Sequence, residues 1–263
     1  MKIGNRTFES GTHVMAIINL TPDSFYANSR ATVDSILERV EKAIENGAEV
    51  IDVGGQSTRP SYTAISAQEE WLRLQKPIEM IKKHFDIPLS VDTFYPYVAE
   101  KALQSGADLI NDVWGLQYQD NESMAQIIAK YDAAVCIMHN QNRIPLDENL
   151  WSDIFAFLDK SVELAKRAKI DENKILIDGG IGFGKSKQQN WTVLENYEKL
   201  GKYGYPLLLG TSRKSMFGGD INDRLAPTLD STRLATKKGV LFVRVHDVKE
   251  NYQAIRDCLA EEV

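Results

Sequence analysis

The sequence predicts a single-domain (β/α)8 barrel spanning residues 1–263, and three observations carry the prediction. Short apolar runs alternate with segments of 3.6-residue periodicity along the whole chain, eight such pairs fit the length, and each run leads into polar residues or glycine. Alternation of this kind implies parallel strands joined by right-handed crossovers. A doubly wound open sheet shares it, so the residues just past the strands decide: in a barrel the C-terminal strand ends surround one mouth, whereas in an open sheet they spread along an edge.

The predicted strands, in order, are Val14–Ile18, Val50–Val53, Leu89–Val91, Leu109–Ile110, Ala133–Met138, Ile175–Ile177, Leu207–Leu209 and Leu241–Val245. The first runs into Asn19, the second into Gly54 and Gly55, the third into Asp92, and the fourth into Asn111 and Asp112. The fifth runs into His139, the sixth into Asp178, and the seventh into Thr211, Ser212, Arg213 and Lys214. The eighth contains Arg244 and ends at His246, and alternation puts these two on one side with Val243 and Val245 on the other. Between the first two strands, Val33, Ile36, Leu37, Val40 and Ile44 share a helical face that closes at Gly47, and later helices close likewise at Gly106 and Gly239.

Composition excludes several classes. A formal charge of −6 argues against a broadly basic nucleic-acid surface. No segment approaches the roughly 18 to 20 apolar residues that span a membrane, and the opening MKIGNRTFESGTHVMAI resembles no export or organelle presequence. Cys136 and Cys258 are too few for a disulfide framework or a cysteine zinc site, so a cytoplasmic location is expected.

Four segments carry chemistry. In AIINLTPDSFYANSR, Asn19 offers a neutral amide oxygen that suits Mg²⁺, and Phe25 lies on the loop behind it. In DVGGQSTRPSY, Thr58, Arg59 and Pro60 come after two glycines, and the Arg59 fork suits phosphate or carboxylate. ILIDGGIGFGKS formally matches a phosphate loop, with Gly179, Gly184, Lys185 and Ser186 at the required spacing. It comes after the sixth strand rather than opening a domain, so it reads better as a glycine-rich turn that brings Asp178 and backbone to a flat ligand. In LLLGTSRKSMFGG, the cations lie just past the seventh strand, where barrels often bind phosphate.

Other polar residues have plainer readings. Asp112 and Asp247 read as turn or cap residues, His13 and His84 as surface residues, Cys136 as core, and the tyrosines of ENYEKLGKYGYP as packing for the sixth helix. What remains at the mouth is two carboxylates, Asp92 and Asp178, the amide of Asn111, and a rim of Arg59, Lys214, Arg244 and His246. Carboxylates and an amide suit a flat heterocycle that presents donors and acceptors, and the rim suits a phosphorylated leaving group.

On these residues the chain resembles the dihydropteroate synthase family over nearly its whole length, through NLTPDSF, GGQSTRP, SVDT, INDVWG, DGGIGFGK, GTSRKSMFG and RVHDV in order. The resemblance implies a (β/α)8 barrel that joins 6-hydroxymethyl-7,8-dihydropterin diphosphate to p-aminobenzoate, with Mg²⁺ as cofactor, in a cytoplasmic homodimer. It implies that Asp92, Asn111, Asp178 and Lys214 hold the pterin, and that Asn19, Arg59, Arg244 and His246 hold the diphosphate, with Asn19 on the metal. Phe25, Thr58, Pro60, Phe183 and Ser212 would frame p-aminobenzoate, and Lys214, Arg244, Asp92 and Asp178 would act in the reaction. Sulfonamides, which mimic p-aminobenzoate, would be inhibitors. The chain departs from the family pattern after DSF, where Tyr26–Ser29 replace a stretch with Asp-Gly-Gly, at Gln56 in place of Glu, and at Gly179 in place of Pro. Those departures leave open a pterin-binding paralogue that is silent or redirected toward other chemistry.

Overall fold

A strand whose alternate residues face opposite sides needs two different environments, and a closed barrel supplies them. The computed structural model describes residues 1–20, 30–56, 65–120 and 122–260. A two-residue-per-strand hairpin, β1 (Lys2–Ile3) and β2 (Arg6–Thr7), precedes eight parallel strands. These are β3 (His13–Asn19), β4 (Val50–Gly54), β5 (Leu89–Asp92), β6 (Leu109–Asp112), β7 (Ala134–Met138), β8 (Ile175–Asp178), β9 (Leu207–Leu209) and β10 (Phe242–Val245). They pair in chain order and close where β10 meets β3, with Phe242 opposite His13 and Val245 opposite Ala16.

All eight predicted strands form, but their ends shift. Gly54, Asp92, Asn111, Asp112 and Asp178 are ladder residues rather than loop residues, because the ladder is built from backbone groups and is indifferent to side-chain polarity. The first strand also begins one residue early, which corrects the surface reading of His13. Its imidazole Nδ1 lies 2.8 Å from Glu49 Oε2 and its ring meets Phe8 edge-on at 5.1 Å.

Parity then sorts the core. Val14, Ala16, Ile51, Val53, Val91, Ile110, Val135, Ile137, Ile175, Ile177, Val243 and Val245 face outward and pack against the helices. Met15, Val50, Leu109, Ala134, Cys136, Leu176, Leu208 and Phe242 face inward, joined by Ile3 and Phe8 of the hairpin region, and fill the lower barrel. The hairpin therefore caps the N-terminal end. Among the described residues, eight α-helices ring the sheet: α1 (Arg30–Glu45), α2 (Ala67–His84), α3 (Pro96–Gln104), α4 (Ser123–Lys130), α5 (Leu150–Arg167), α6 (Lys187–Glu195), α7 (Leu225–Lys237) and α8 (Val248–Ala260). Ile36 and Val40 of α1 are buried as its periodicity requires. Among the described residues, no helix is long and apolar enough to cross a membrane.

Candidate active site at the C-terminal mouth

The inward parity that fills the lower barrel with apolar groups delivers charge one step higher. On β4, Val50 is followed two residues on by Asp52; on β8, Leu176 is followed by Asp178; and on β10, Phe242 is followed by Arg244. Arg244 donates from Nε to Asp52 Oδ2 at 2.8 Å and from Nη2 to Asp92 Oδ2 at 2.7 Å. Asp52, fully buried, also accepts from Ser90 Oγ at 2.5 Å. Burial works against the Arg244 charge, but Asp52 and Asp92 outweigh it and raise its pKa. Burial pushes Asp92 up to about 7 despite Arg244, and Asp52 and Asp112 add to the rise. Asp92 Oδ1 is buried with no protein partner among the described residues, a polar atom that calls for an explanation. Asn111, also buried, pairs in register with Asp92. Asp52 is a residue that sequence reasoning missed. The signal was a single aspartate in the apolar run VIDVG, on the inward parity of Val50.

Asp178 ends β8 and accepts from Gly180 N at 2.7 Å, with the Tyr197 hydroxyl 3.2 Å away. That hydroxyl lies 2.5 Å from Leu208 O and accepts from Gly179 N at 2.9 Å. Tyr197 thus packs in one core with Val193 and Leu194 of the sixth helix, as the plainer reading has it, and its hydroxyl also touches a site carboxylate. Burial raises the Asp178 pKa, with Lys214 opposing. Lys214 donates from Nζ to Ile181 O and lies 4.8 Å from the centroid of the half-buried Phe183 ring. Burial lowers its pKa to about 8, against the pull of Asp178.

The lysine of the phosphate-loop pattern turns inward. Lys185 Nζ lies 2.7 Å from His139 Nδ1 and donates to Gly180 O at 2.8 Å and Phe183 O at 3.1 Å. Ser186 accepts from Gln189 N at 3.1 Å in a capping box that starts α6. A phosphate-loop lysine must reach outward, so the pattern here encodes a turn and a cap. The turn needs its glycines: at Gly180, φ is 64° and a Cβ would lie 1.8 Å from His139 O. His139 is buried, and burial followed by the Lys185 charge lowers its pKa to about 2.

The cations after β9 divide their work. Arg213, at φ 54°, grips Asp247 from Nε at 2.7 Å and Nη2 at 2.6 Å. Its guanidinium is thus tied to a carboxylate, and Asp247, which stands just before α8 and accepts from Asn251 N at 3.2 Å through its carbonyl, is an ion-pair partner as well as the cap residue the sequence predicts. One residue earlier, Ser212 Oγ lies 2.9 Å from His246 Nδ1 and accepts from His246 N at 3.1 Å. The β9 and β10 loops are therefore stitched by two adjacent rungs. Asp112 holds its turn as expected, accepting from Trp114 N at 2.8 Å and Leu116 N at 2.7 Å, and burial pushes its pKa up to about 6.

Phe25, Thr58, Arg59 and Pro60 lie outside the described residues. Asn19 is exposed at the end of β3, in register with Gly54. Buried Glu70 of α2 accepts from Thr93 Oγ1 at 3.0 Å, and burial pushes its pKa up to about 8 against that bond. Among the described residues no group of three His, Cys, Asp or Glu side chains could hold a metal. A lone amide at the mouth does fit Mg²⁺ of the kind that retains waters and is bound largely through substrate phosphates.

Comparison with known proteins adds identity to geometry. A family model described as pterin binding enzyme matches residues 15–246. The chain is 43% identical to a dihydropteroate synthase of Clostridium beijerinckii over 97% of both chains. It superposes with TM-score 0.91 on the dihydropteroate synthase of Clostridium difficile solved in the presence of pteroic acid, at 41% identity and covering 97% of this chain and 98% of that one. A Xanthomonas albilineans dihydropteroate synthase solved with 4-aminobenzoic acid matches at TM-score 0.88 and 34% identity, covering 96% and 94%. With a closed barrel that gathers Asp92, Asn111, Asp178 and Arg244 at one mouth and these likenesses spanning nearly its full length, the chain belongs to the pterin-binding enzymes and, among them, to the dihydropteroate synthase family.

Proposed function

We propose that the protein is a dihydropteroate synthase, a transferase of folate biosynthesis that condenses 6-hydroxymethyl-7,8-dihydropterin diphosphate with p-aminobenzoate to give 7,8-dihydropteroate and diphosphate. The observation that carries the reading is the polar set at one mouth: buried Asp92, Asn111 and Asp178 with half-buried Lys214 and Arg244. A pterin ring edge carries several donors and acceptors, which these groups satisfy where water cannot. Asp92, Asn111, Asp178 and Lys214 hold the pterin, with the unpartnered Asp92 Oδ1 as one acceptor.

The methylene C–O bond breaks as diphosphate leaves, and the C–N bond forms as the aniline nitrogen attacks and loses a proton. Developing negative charge on the leaving group falls to Arg59, Arg244 and His246, and positive charge spread over the pterin falls to Asp92 and Asp178. Phe25, Thr58, Pro60, Phe183 and Ser212 frame p-aminobenzoate so that its nitrogen meets the carbon in line, with no protein nucleophile needed. Asn19 would hold Mg²⁺ together with the substrate phosphates, and the ion when bound neutralises diphosphate charge. A cytoplasmic homodimer formed through barrel helices, and inhibition by sulfonamides in competition with p-aminobenzoate, belong to the same reading.

The test is diphosphate release by the purified protein given the pterin diphosphate and Mg²⁺, with and without p-aminobenzoate. Release that depends on p-aminobenzoate and yields dihydropteroate supports the proposal. Pterin binding with no coupled product would instead identify a paralogue whose Tyr26–Ser29 and Gln56 departures have removed the second substrate.

A further inference from the structure

The one motif that the proposed reaction leaves unused is the inward lysine of GGIGFGKS. Every part of the loop it closes is tied. Gly179 N reaches the Tyr197 hydroxyl, Gly180 N reaches Asp178, Ile181 O receives Lys214, and Gly182 N donates to Asn190 Oδ1 at 2.6 Å. At the far end, Gln141 Nε2 donates to Gly184 O at 2.8 Å. Between these ties, two carbonyls point into the space beneath the loop, and Lys185 Nζ donates to both. Its third neighbour is His139 Nδ1. Gly180 O and Phe183 O each accept one N–H and His139 Nδ1 is the third contact, in a site that is only 8% exposed; burial lowers the lysine's pKa to about 7, and either protonation state keeps the two N–H donors that the carbonyls use.

We propose that Lys185 is a positioning residue: its buried amino group holds the Gly180 and Phe183 peptides together, and so fixes the Phe183 ring where it stands beside Lys214. The inference rests on the proposed function, in which Phe183 frames p-aminobenzoate and Lys214 holds the pterin. Gly180 O receives both Lys185 Nζ and Phe183 N, the latter at 3.1 Å, so removal of the amino group takes away the partner of the part-buried Phe183 carbonyl and frees the segment that carries the ring. Asp178 is not released with it, because the Tyr197 hydroxyl still stands 3.2 Å from its carboxylate. The two substrates should therefore respond unequally.

Lys185→Met and Lys185→Gln separate these effects, each measured by thermal unfolding, by amide hydrogen exchange over residues 179–184 without substrate, and by steady-state kinetics. The methionine variant should fold, exchange the Gly180–Phe183 amides at least about tenfold faster, and raise KM for p-aminobenzoate by about tenfold while pterin affinity changes by under about threefold. The glutamine variant, which keeps two N–H donors, should fall between it and the parent. Unchanged exchange together with unchanged KM would overturn the proposal. So would loss of folding in both variants, which would make the lysine a folding element, and so would a fall in kcat alone, which would make it a reacting group. The exchange measurement needs no turnover, so it stands even if the parent proves not to make dihydropteroate.

Discussion

The two ends of this barrel are built from the same inward-facing positions and could hardly differ more. At the lower end Met15, Val50, Leu109, Cys136, Leu176, Leu208 and Phe242 are buried and uncharged, hydrocarbon or sulfur. Two residues further along the same strands stand Asp52, Asn111, Asp178 and Arg244, joined by Asp92 from β5. The lower layer gains stability from burial, at about 25 cal/mol per Å² of apolar surface. The upper layer burdens the fold with desolvated charge in exchange for a polar site in a dry setting. Where an inward residue sits along its strand, rather than its parity alone, separates core from chemistry.

Breaking the upper layer at its centre should have the largest effect. Arg244→Ala removes the guanidinium that Asp52 and Asp92 share and leaves two buried carboxylates facing each other, which should cost about 3–5 kcal/mol of stability. Turnover should vanish at the same time. Urea unfolding with a diphosphate-release assay checks both, and a variant that kept its stability would show that Asp52 and Asp92 do not depend on this cation.

Glu70→Gln sharpens the contrast from the opposite direction, because here a buried carboxyl burdens the fold. Its pKa, near 4.5 in an unfolded chain, is pushed up to about 8 by burial. The folded state therefore keeps a proton that the unfolded state releases above 4.5, and stability contributed by the neutral acid is lost as pH rises through that window toward 8. Glutamine keeps an acceptor for Thr93 without the titration. The variant should be more stable than the parent by on the order of 3 kcal/mol at pH 7, with the difference closing near pH 4.5. Melting temperatures across that range decide it, and a constant difference would refute the assignment of a buried neutral acid.

Asp178→Asn is a smaller break. It removes a charge while keeping an oxygen for Gly180 N, so the loop should hold and pterin affinity should fall by about 10- to 100-fold. Titration calorimetry with the pterin measures it, and wild-type affinity would remove Asp178 from the pterin site.

Much of this layout was legible in the sequence because the polar ends of apolar runs are local features. Asp92, Asn111, Asp178, Ser212, Lys214, Arg244 and His246 were all visible as residues at or just past strand ends. Asp52 escaped notice because it stands inside a run that reads as core, where only the inward parity it shares with Val50 betrays it. Tyr197 escaped because its contact with Asp178 spans 19 residues and depends on how a 3₁₀ segment packs under β8, which no periodicity encodes. Arg213 looked like its neighbour Lys214, and only the left-handed backbone at φ 54° sends the two side chains in different directions.

The lower layer supplies the smallest effect and the sharpest control. Cys136 is fully buried on β7, opposite Asn111 on one side and Leu176 on the other, so it lies directly beneath the polar layer. Burial pushes its thiol well above the ordinary range, and the carboxylates Asp178 and Asp52 push the same way, so it stays a neutral thiol and acts as a small apolar group. Cys136→Ala removes one sulfur from a close-packed floor and should cost about 1 kcal/mol, with kcat and both KM values unchanged. Denaturant unfolding and steady-state kinetics on the same preparation test the pair of expectations. A change in KM would mean that the floor sets the height of the Asn111 amide, and that the boundary between the two layers is softer than strand parity suggests.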